Sequence, residues 1–181
     1  VDLLNLAGSG RTWFGEVFDF NLSQTFVFDF ANVIKSPGAK FNAALASRAY
    51  STNQFLVSIN GQLLKTQTMP ISLNNGYEYG RERPTEFEFT PKDDRLEVEL
   101  TYQRASSSST GYLNYIEINV DRNLEFTGSQ MHFRKVFSWE NVEVAKYIIS
   151  GQSGNLRVFD ITNVSNVTAI GTTVSNGKTS F

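Results

Sequence analysis

The residue types that carry most enzymatic chemistry are scarce in this chain. It has no cysteine and one histidine, His132. The lack of cysteine excludes disulfides, zinc–thiolate sites, iron–sulfur clusters and a cysteine nucleophile within the chain. A single imidazole excludes a multi-histidine metal site, and no motif places a nucleophile beside it. We therefore interpret His132 as a surface or packed side chain and predict no catalytic residue.

The carboxylates offer little more. Glu16 follows a Trp-Phe-Gly triplet, where it could act as an acid or bind a sugar hydroxyl, although we favour an outward position on a strand. Asp93 and Asp94 lie in a predicted turn, and Asp121 and Asp160 end predicted strands. None has the spacing of an EF-hand loop. We predict no cofactor, with a structural calcium ion at the loops as the open alternative.

Aromatic side chains are abundant, at 13% of the residues. Exposed rings could form a platform for a sugar, whereas most rings in strands this aromatic must be buried. Tyr77 and Tyr79 lie in a polar loop and are the better exposed candidates. The residues that we predict for contact with a ligand or partner are Trp13, Glu16, Tyr77, Tyr79, Tyr112 and Trp139.

The charge distribution argues against nucleic acid as a partner. Sixteen basic residues face 18 acidic ones, for a formal net charge of −2. No run of Lys or Arg forms a stripe that could follow a phosphate backbone. No apolar stretch approaches the length of about 20 residues that a membrane span needs.

The elements that must position these residues are strands, because apolar residues recur mainly with a period of two. Phe55, Val57 and Ile59 alternate with polar residues before Asn60-Gly61, a dipeptide typical of a type I′ hairpin. Residues 41–50 alternate as well, and we predict a strand there, with a short helix or a bulged strand as alternatives.

Roughly ten such runs, separated by turns, indicate an all-β fold: a jelly-roll-like β-sandwich. A two-layer sandwich buries one face of each strand. The predicted core comprises Phe26, Phe28, Phe55, Val57, Phe87, Phe89, Leu96, Val98, Leu100, Ile116, Ile118 and Val120.

The composition changes near residue 155. We predict a sandwich domain over residues 1–154, followed by terminal strands or a connection over residues 155–181, which are rich in Asn, Thr, Ser and Gly. The chain begins at Val1 without a leader-like segment, so we expect it to be a piece of a longer protein.

Four segments, in this order, resemble the β domain that precedes the peptidase domain of gingipain-type cysteine peptidases. They are Gly10–Phe18, Gly111–Asn119 with Arg122 and Leu124, Met131–Arg134, and Val158–Asn163. The chain departs from the family pattern at Phe159, where Trp is usual, and at Asn163-Val164, where an acidic residue and Pro are usual. The likeness is to the sortase branch of the family, which belongs to the type IX secretion system of Bacteroidetes.

The resemblance implies a non-catalytic domain of an exported protein at the outer-membrane surface or outside the cell. Its implied partners are a downstream peptidase domain of the same polypeptide and, beyond it, secreted cargo or secretion-system proteins. A glycan is a further candidate partner. No residue of the family's catalytic dyad has a counterpart here, since the chain lacks cysteine and His132 lies in a strand motif.

Three functions follow from these observations. An accessory domain that positions a peptidase domain predicts a bare surface patch near Val158–Phe181. A carbohydrate-binding module, the alternative, predicts exposed rings beside polar side chains. An independent enzyme is the least supported, because no carboxylate pair or metal-ligand spacing is visible.

Overall fold

The computed structural model describes residues 4–6, 11–73, 79–104, 106–134, 145–151 and 156–181. All of its regular elements are β-strands, which confirms the all-β sandwich fold. The contacts divide the chain into two compact units, Val1–Arg122 and Asn123–Phe181, called unit 1 and unit 2 below. This division lies upstream of residue 154, where the composition changes.

Unit 1 contains nine strands among its described residues. They are β1 (Glu16–Phe18), β2 (Ser23–Asp29), β3 (Ala39–Arg48), β4 (Asn53–Ile59), β5 (Gln62–Met69), β6 (Arg81–Glu82), β7 (Thr85–Phe89), β8 (Arg95–Arg104) and β9 (Thr110–Asn119). One sheet has the order β1-β9-β3, with β6 and β7 both paired to β3, and the other has the order β2-β8-β4-β5.

The antiparallel pairs of unit 1 are nested. The outermost pair is β1 with β9, followed inward by β2 with β8, β3 with β7, and β4 with β5. Successive pairs lie in alternate sheets, so the chain runs as one long folded ribbon that is rolled into two layers. This is the topology of a jelly roll, as the turn spacing predicts.

The strands of unit 1 follow the predicted alternation. In β8, Leu96, Val98 and Leu100 are fully buried, while the residues between them are exposed. All twelve predicted core residues lie in the main hydrophobic cluster or pack against it. Phe18, Phe41 and Leu45 belong to the same cluster and were not in the predicted core.

Residues 41–48 belong to β3 rather than to a helix, and residues 49 and 50 follow the strand. β3 is the central strand of its sheet, since it pairs with β9 on one side and with β6 and β7 on the other. The β3–β9 register shifts between Ala43 and Leu45, which leaves an irregularity opposite Asn114 and Tyr115.

The Asn60-Gly61 turn takes the predicted form. Both residues have positive φ, 49° and 75°, as a type I′ turn requires. The Asn60 side chain also bonds a neighbouring strand, because its Oδ1 accepts from the Glu97 amide at 2.7 Å and its Nδ2 donates to the Arg95 carbonyl at 3.1 Å. The turn is thereby tied to β8.

The described residues of unit 2 form only short strands. They are β10 (Ile148–Ile149), β11 (Val158–Asp160), β12 (Thr168–Ile170), β13 (Thr173–Ser175) and β14 (Lys178–Ser180). One three-stranded sheet has the order β10-β14-β13, and β11 pairs with β12 alone. A second turn with positive φ, at Asn176-Gly177, joins β13 to β14.

Glu16 lies on a strand as predicted, at the start of β1. The strand predicted around His132, at Met131–Arg134, does not form. In the latter segment, the Phe133 ring contacts the rings of Tyr147 and Phe181 at 5.4 and 6.2 Å. The segment is therefore held by ring contacts and not by a strand ladder.

Candidate functional site

The structure separates the residues that we predicted for ligand or partner contact. Tyr77 and Trp139 lie outside the described residues. Trp13 is 42% exposed and precedes β1, while Glu16 is half-buried within β1 and pairs with Leu113. Neither belongs to the cluster of polar and aromatic groups described below.

Tyr112 lies in the protein interior, which makes it unavailable as a surface contact. It packs with Phe14 and Ala46 in a second hydrophobic cluster, which Leu4 and Leu6 cover further. Tyr112 alternates with residues that face the main core, so it lies on the outer face of its sheet. It is buried because the N-terminal segment folds over that face.

Tyr79 is exposed, as predicted, and it contacts a cation. The guanidinium carbon of Arg48 lies 4.5 Å from the centre of the Tyr79 ring, within the range of a cation–π interaction. Tyr79 is 45% exposed and Tyr50 is 46% exposed, while Arg48 is half-buried. Arg48, Tyr50 and Tyr79 are called the Arg48 cluster below.

The tyrosine side chains of the cluster favour the charged form of Arg48. Hydrogen bonding with the Tyr50 side chain is the largest influence on the pKa of Arg48 and raises it, with Tyr79 acting in the same direction. The pKa of the buried Tyr112 hydroxyl is raised chiefly by burial and further by its hydrogen bond with Tyr79. Both shifts favour the protonated forms, the charged guanidinium of Arg48 and the neutral hydroxyl of Tyr112.

The local fold explains why these side chains meet. Arg48 is the last residue of β3 and pairs with Thr110, so it shares the outer face with Tyr112 two residues along β9. The Ser72 amide donates to the Ala49 carbonyl at 2.7 Å, which holds the chain after β5 beside the end of β3. Gly80 then lets the backbone pass close to β3, because an added Cβ would lie 3.1 Å from the Ser47 carbonyl oxygen.

Arg48 has different partners from Arg95 and Arg104. Arg95 lies 3.4 Å from Asp29 and 3.3 Å from Glu97, and Arg104 lies 2.9 Å from Asp19. Within the described ranges, Arg48 makes no ion pair with a carboxylate. Its recorded partners are tyrosine side chains.

Asp94 and His132, two titratable residues outside the Arg48 cluster, contact nearby backbone or side-chain groups. Asp94 accepts from the amides of Asn32 and Val33 at 3.0 and 3.1 Å, and His132 contacts the exposed side chain of Gln130 at 3.0 Å. In the part of the chain that the structure describes, no three His, Asp or Glu side chains are grouped so that they could hold a metal ion. No described helix is long and apolar enough to cross a membrane.

Unit 2 presents a different kind of surface. Its β11–β12 hairpin and the neighbouring strands expose large apolar side chains, among them Phe159 at 49% and Val164 at 82%. The others are Ile148, Ile161, Val167, Ile170 and Val174. These seven residues are called the unit 2 apolar face, although Phe159 and Ile170 project from opposite sides of the β11–β12 hairpin. Six of the seven lie within Val158–Phe181, near which the accessory-domain hypothesis predicts a bare surface patch.

No sequence pattern identifies Arg48 or Tyr50 as site residues, because an arginine at the end of an alanine-rich strand resembles any exposed strand residue. Only the pairing of β3 with β9 and the course of residues 70–80 bring them to Tyr79. The exposed tyrosine itself was detectable from its place in a polar loop.

Comparisons with known proteins identify the fold. No family model matches the sequence, and no curated protein matches it. Among solved structures, dimeric latent PorU from Porphyromonas gingivalis is similar to 96% of this chain, with a TM-score of 0.79 and 21% sequence identity. The chain spans 17% of the PorU chain, so it has the fold of one part of that protein.

Carbohydrate-binding modules are similar over a smaller part. A CBM36 module in complex with calcium and xylotriose matches 54% of this chain with a TM-score of 0.39 and 14% identity. A CBM36-1 domain of a xylanase from the hindgut metagenome of Trinervitermes trinervoides matches 62% with a TM-score of 0.40 and 14% identity. Likenesses at this level carry no argument about ligand binding.

Proposed function

We propose that this chain is a non-catalytic accessory domain of an exported gingipain-like cysteine peptidase, in which it positions the peptidase domain or contacts cargo. The observation that carries the proposal is the fold match to PorU over 96% of this chain and 17% of that one. The lack of cysteine is consistent with a piece that leaves the peptide-bond chemistry to another domain.

The unit 2 apolar face supports the same proposal. Exposed apolar patches on soluble proteins often mark contact sites for other domains, and unit 2 exposes seven large apolar side chains in this set. Strands of two or three residues, such as β10 and β11, gain little from their own ladders. In this proposal the face packs against the peptidase domain, which would bury Phe159 and Val164.

The gene itself tests this proposal first. The reading frame is expected to continue beyond Phe181 into a domain with a Cys–His peptidase dyad. A stop codon directly after Phe181 would contradict a peptidase domain on the C-terminal side. Cell fractionation should place the product outside the cytoplasm, and retention in the cytoplasm would contradict export.

Carbohydrate binding is the second candidate, and one observation favours it. Tyr50 and Tyr79 are both about half exposed and lie beside the polar group of Arg48, the arrangement that we expect of a sugar-binding module. A glycan array is the test. Binding that is lost in a Tyr50→Ala, Tyr79→Ala double variant would support this function, and silence across the array would count against it.

A further inference from the structure

The Arg48 cluster combines a cation with two partly exposed tyrosine side chains. A guanidinium carries five N–H donors in a planar fork, and it suits a carboxylate through two parallel hydrogen bonds. Within the described ranges, no carboxylate takes that position at Arg48, whereas Arg95 and Arg104 each have one. Arg48 therefore has N–H donors that can bind an anion, whereas Arg95 and Arg104 already direct theirs at carboxylates.

We propose that Arg48, together with Tyr50 and Tyr79, binds the carboxylate group of a small ligand at the outer face of the β3–β9 sheet. The inference concerns unit 1 alone and does not depend on a peptidase domain. It goes beyond the carbohydrate alternative as well, because a neutral sugar has no group that requires the charge of Arg48.

The charges near the cluster permit this assignment. Glu82 lies on the same side of β3 as Arg48 by register, since it pairs with Ala46, two residues before Arg48. No ion pair joins Glu82 to Arg48 among the described residues. The pKa of Arg48 is raised, chiefly by its hydrogen bonding with Tyr50, so the cation is retained across the physiological range.

The cluster is also held in place before any ligand arrives. The Tyr79 ring supports the guanidinium on one side, with the Arg48 guanidinium carbon 4.5 Å from the ring centre. A preorganised arginine loses less conformational entropy on binding than a free surface arginine does. The tyrosine hydroxyls supply additional donors to a carboxylate oxygen.

A carboxylate of this kind has two sources, a sugar acid and the C-terminus of a peptide. We would titrate the 15N-labelled chain with glucuronate and with N-acetylglycine and follow the amide and arginine Nε–H resonances by NMR. Glucose and N-acetylglycinamide are the matched neutral controls. One bidentate contact gives weak binding, with a Kd on the order of millimolar.

We expect saturable shifts at Arg48, Tyr50 and Tyr79 with at least one acid, and none with its neutral control. Binding of glucuronate alone identifies a sugar acid, binding of N-acetylglycine alone identifies a peptide C-terminus, and either result supports the site. The absence of saturable shifts with both acids would overturn the proposal. So would equal binding by an acid and its neutral control, which would favour a neutral sugar.

Variants provide the second test. Arg48→Gln should weaken binding at least tenfold, and Arg48→Lys should weaken it as well, because an ammonium lacks the planar fork. Arg95→Gln, at an arginine that already has two carboxylate partners, is the matched control and should leave affinity unchanged. If Arg48→Gln loses the dispersed core resonances of the native fold, Tyr50→Phe keeps the ring and should weaken binding several-fold. Unchanged affinity in the folded Arg48 or Tyr50 variants would contradict the proposal.

Discussion

Units 1 and 2 bury their apolar side chains to different extents. Twenty of the 21 buried hydrophobic residues in the described chain belong to unit 1, and the remaining one is Ile149 of unit 2. Unit 2 nevertheless contributes eight of the 19 exposed large hydrophobic residues, although it is the smaller unit. The buried hydrophobic residues are thus concentrated in unit 1, whereas unit 2 buries one hydrophobic residue and exposes eight large ones among its described residues.

This difference separates stability from interaction. Burial of apolar surface is the main favourable term in folding, so the free energy of unfolding should depend chiefly on unit 1. Bare apolar surface contributes to association once a partner covers it. Substitutions in unit 1 should therefore change stability, and substitutions on the unit 2 apolar face should change binding.

The largest contrast is expected between two phenylalanines. Phe55 is fully buried, with its ring 5.2 Å from Phe18 and 4.9 Å from Tyr102, whereas Phe159 of unit 2 is 49% exposed. Phe55→Ala should lower the free energy of unfolding by about 3–5 kcal/mol. Phe159→Ala should change it by no more than about 0.5 kcal/mol. Urea denaturation measures both, and equal losses would remove the distinction between the units.

Alkaline pH should destabilise unit 1 through its buried tyrosines. Burial raises the pKa of Tyr102 to about 12, and burial also raises that of Tyr112. Below about pH 10 both hydroxyls are protonated whether the chain is folded or unfolded, so the free energy of unfolding is not reduced by their ionisation. As pH rises from about 10 to 12, the unfolded chain loses these protons first, and Tyr102 alone should account for a loss of about 2–3 kcal/mol.

Tyr102→Phe tests the assignment of that pH dependence. The variant removes the hydroxyl that donates to Asn53 Oδ1 at 3.1 Å, so it should cost about 1 kcal/mol at neutral pH. Its stability should fall less steeply than that of the parent chain above about pH 10. Parallel curves for the two proteins in denaturation experiments would show that Tyr102 is not the group responsible.

A methyl group added to a glycine should distinguish the units again. At Gly111 of unit 1, a Cβ would lie 2.6 Å from the Phe55 ring and 2.9 Å from the Tyr102 ring. Gly111→Ala should therefore cost about 1–3 kcal/mol through overpacking. Gly171 of unit 2 has no atom within 4 Å of that position, so Gly171→Ala is the control and should be close to neutral. A melting-temperature comparison suffices, and a greater loss at Gly171 would contradict the difference in packing.

The smallest difference is expected between the two Asn-Gly turns. Asn60 and Asn176 both have positive φ, so alanine is strained at either position. Only Asn60 has recorded side-chain hydrogen bonds to a neighbouring strand. Asn60→Ala should therefore lower the free energy of unfolding by about 1–2 kcal/mol more than Asn176→Ala does. Equal costs in denaturant titrations would mean that the β8 contacts add nothing to the turn.

The fold could be predicted from the sequence where one side of a strand is buried and the other is exposed to solvent. The alternation in β8 predicted its buried residues, and Asn60-Gly61 predicted the turn because few other dipeptides tolerate two positive φ angles. The alternation did not predict the burial of Tyr112, because Leu4, Leu6 and Phe14, from a distant part of the chain, cover the outer face of its sheet. It also failed at Met131–Arg134, because a strand requires a backbone partner that a single segment does not reveal.

The candidate site was less predictable than the fold. Tyr79 was found from its polar loop, but its partner Arg48 lies 31 positions earlier and meets it only through the pairing of β3 and the path of the chain after β5. Tyr77 and Trp139 fall outside the described residues, so their role stays a prediction. Recognition sites assembled from separate strands leave no spacing pattern in the sequence.

The most direct test of a positioning role is the affinity of this chain for the peptidase domain that its reading frame is expected to encode. A Phe159→Ser, Val164→Ser double variant alters the unit 2 apolar face, and a Val27→Ser, Leu63→Ser double variant alters exposed apolar residues of unit 1. We expect the unit 2 variant to weaken the complex at least tenfold in isothermal titration calorimetry and the unit 1 variant to bind like the parent. Undiminished binding by the unit 2 variant, or no binding by the parent chain, would contradict the proposed role.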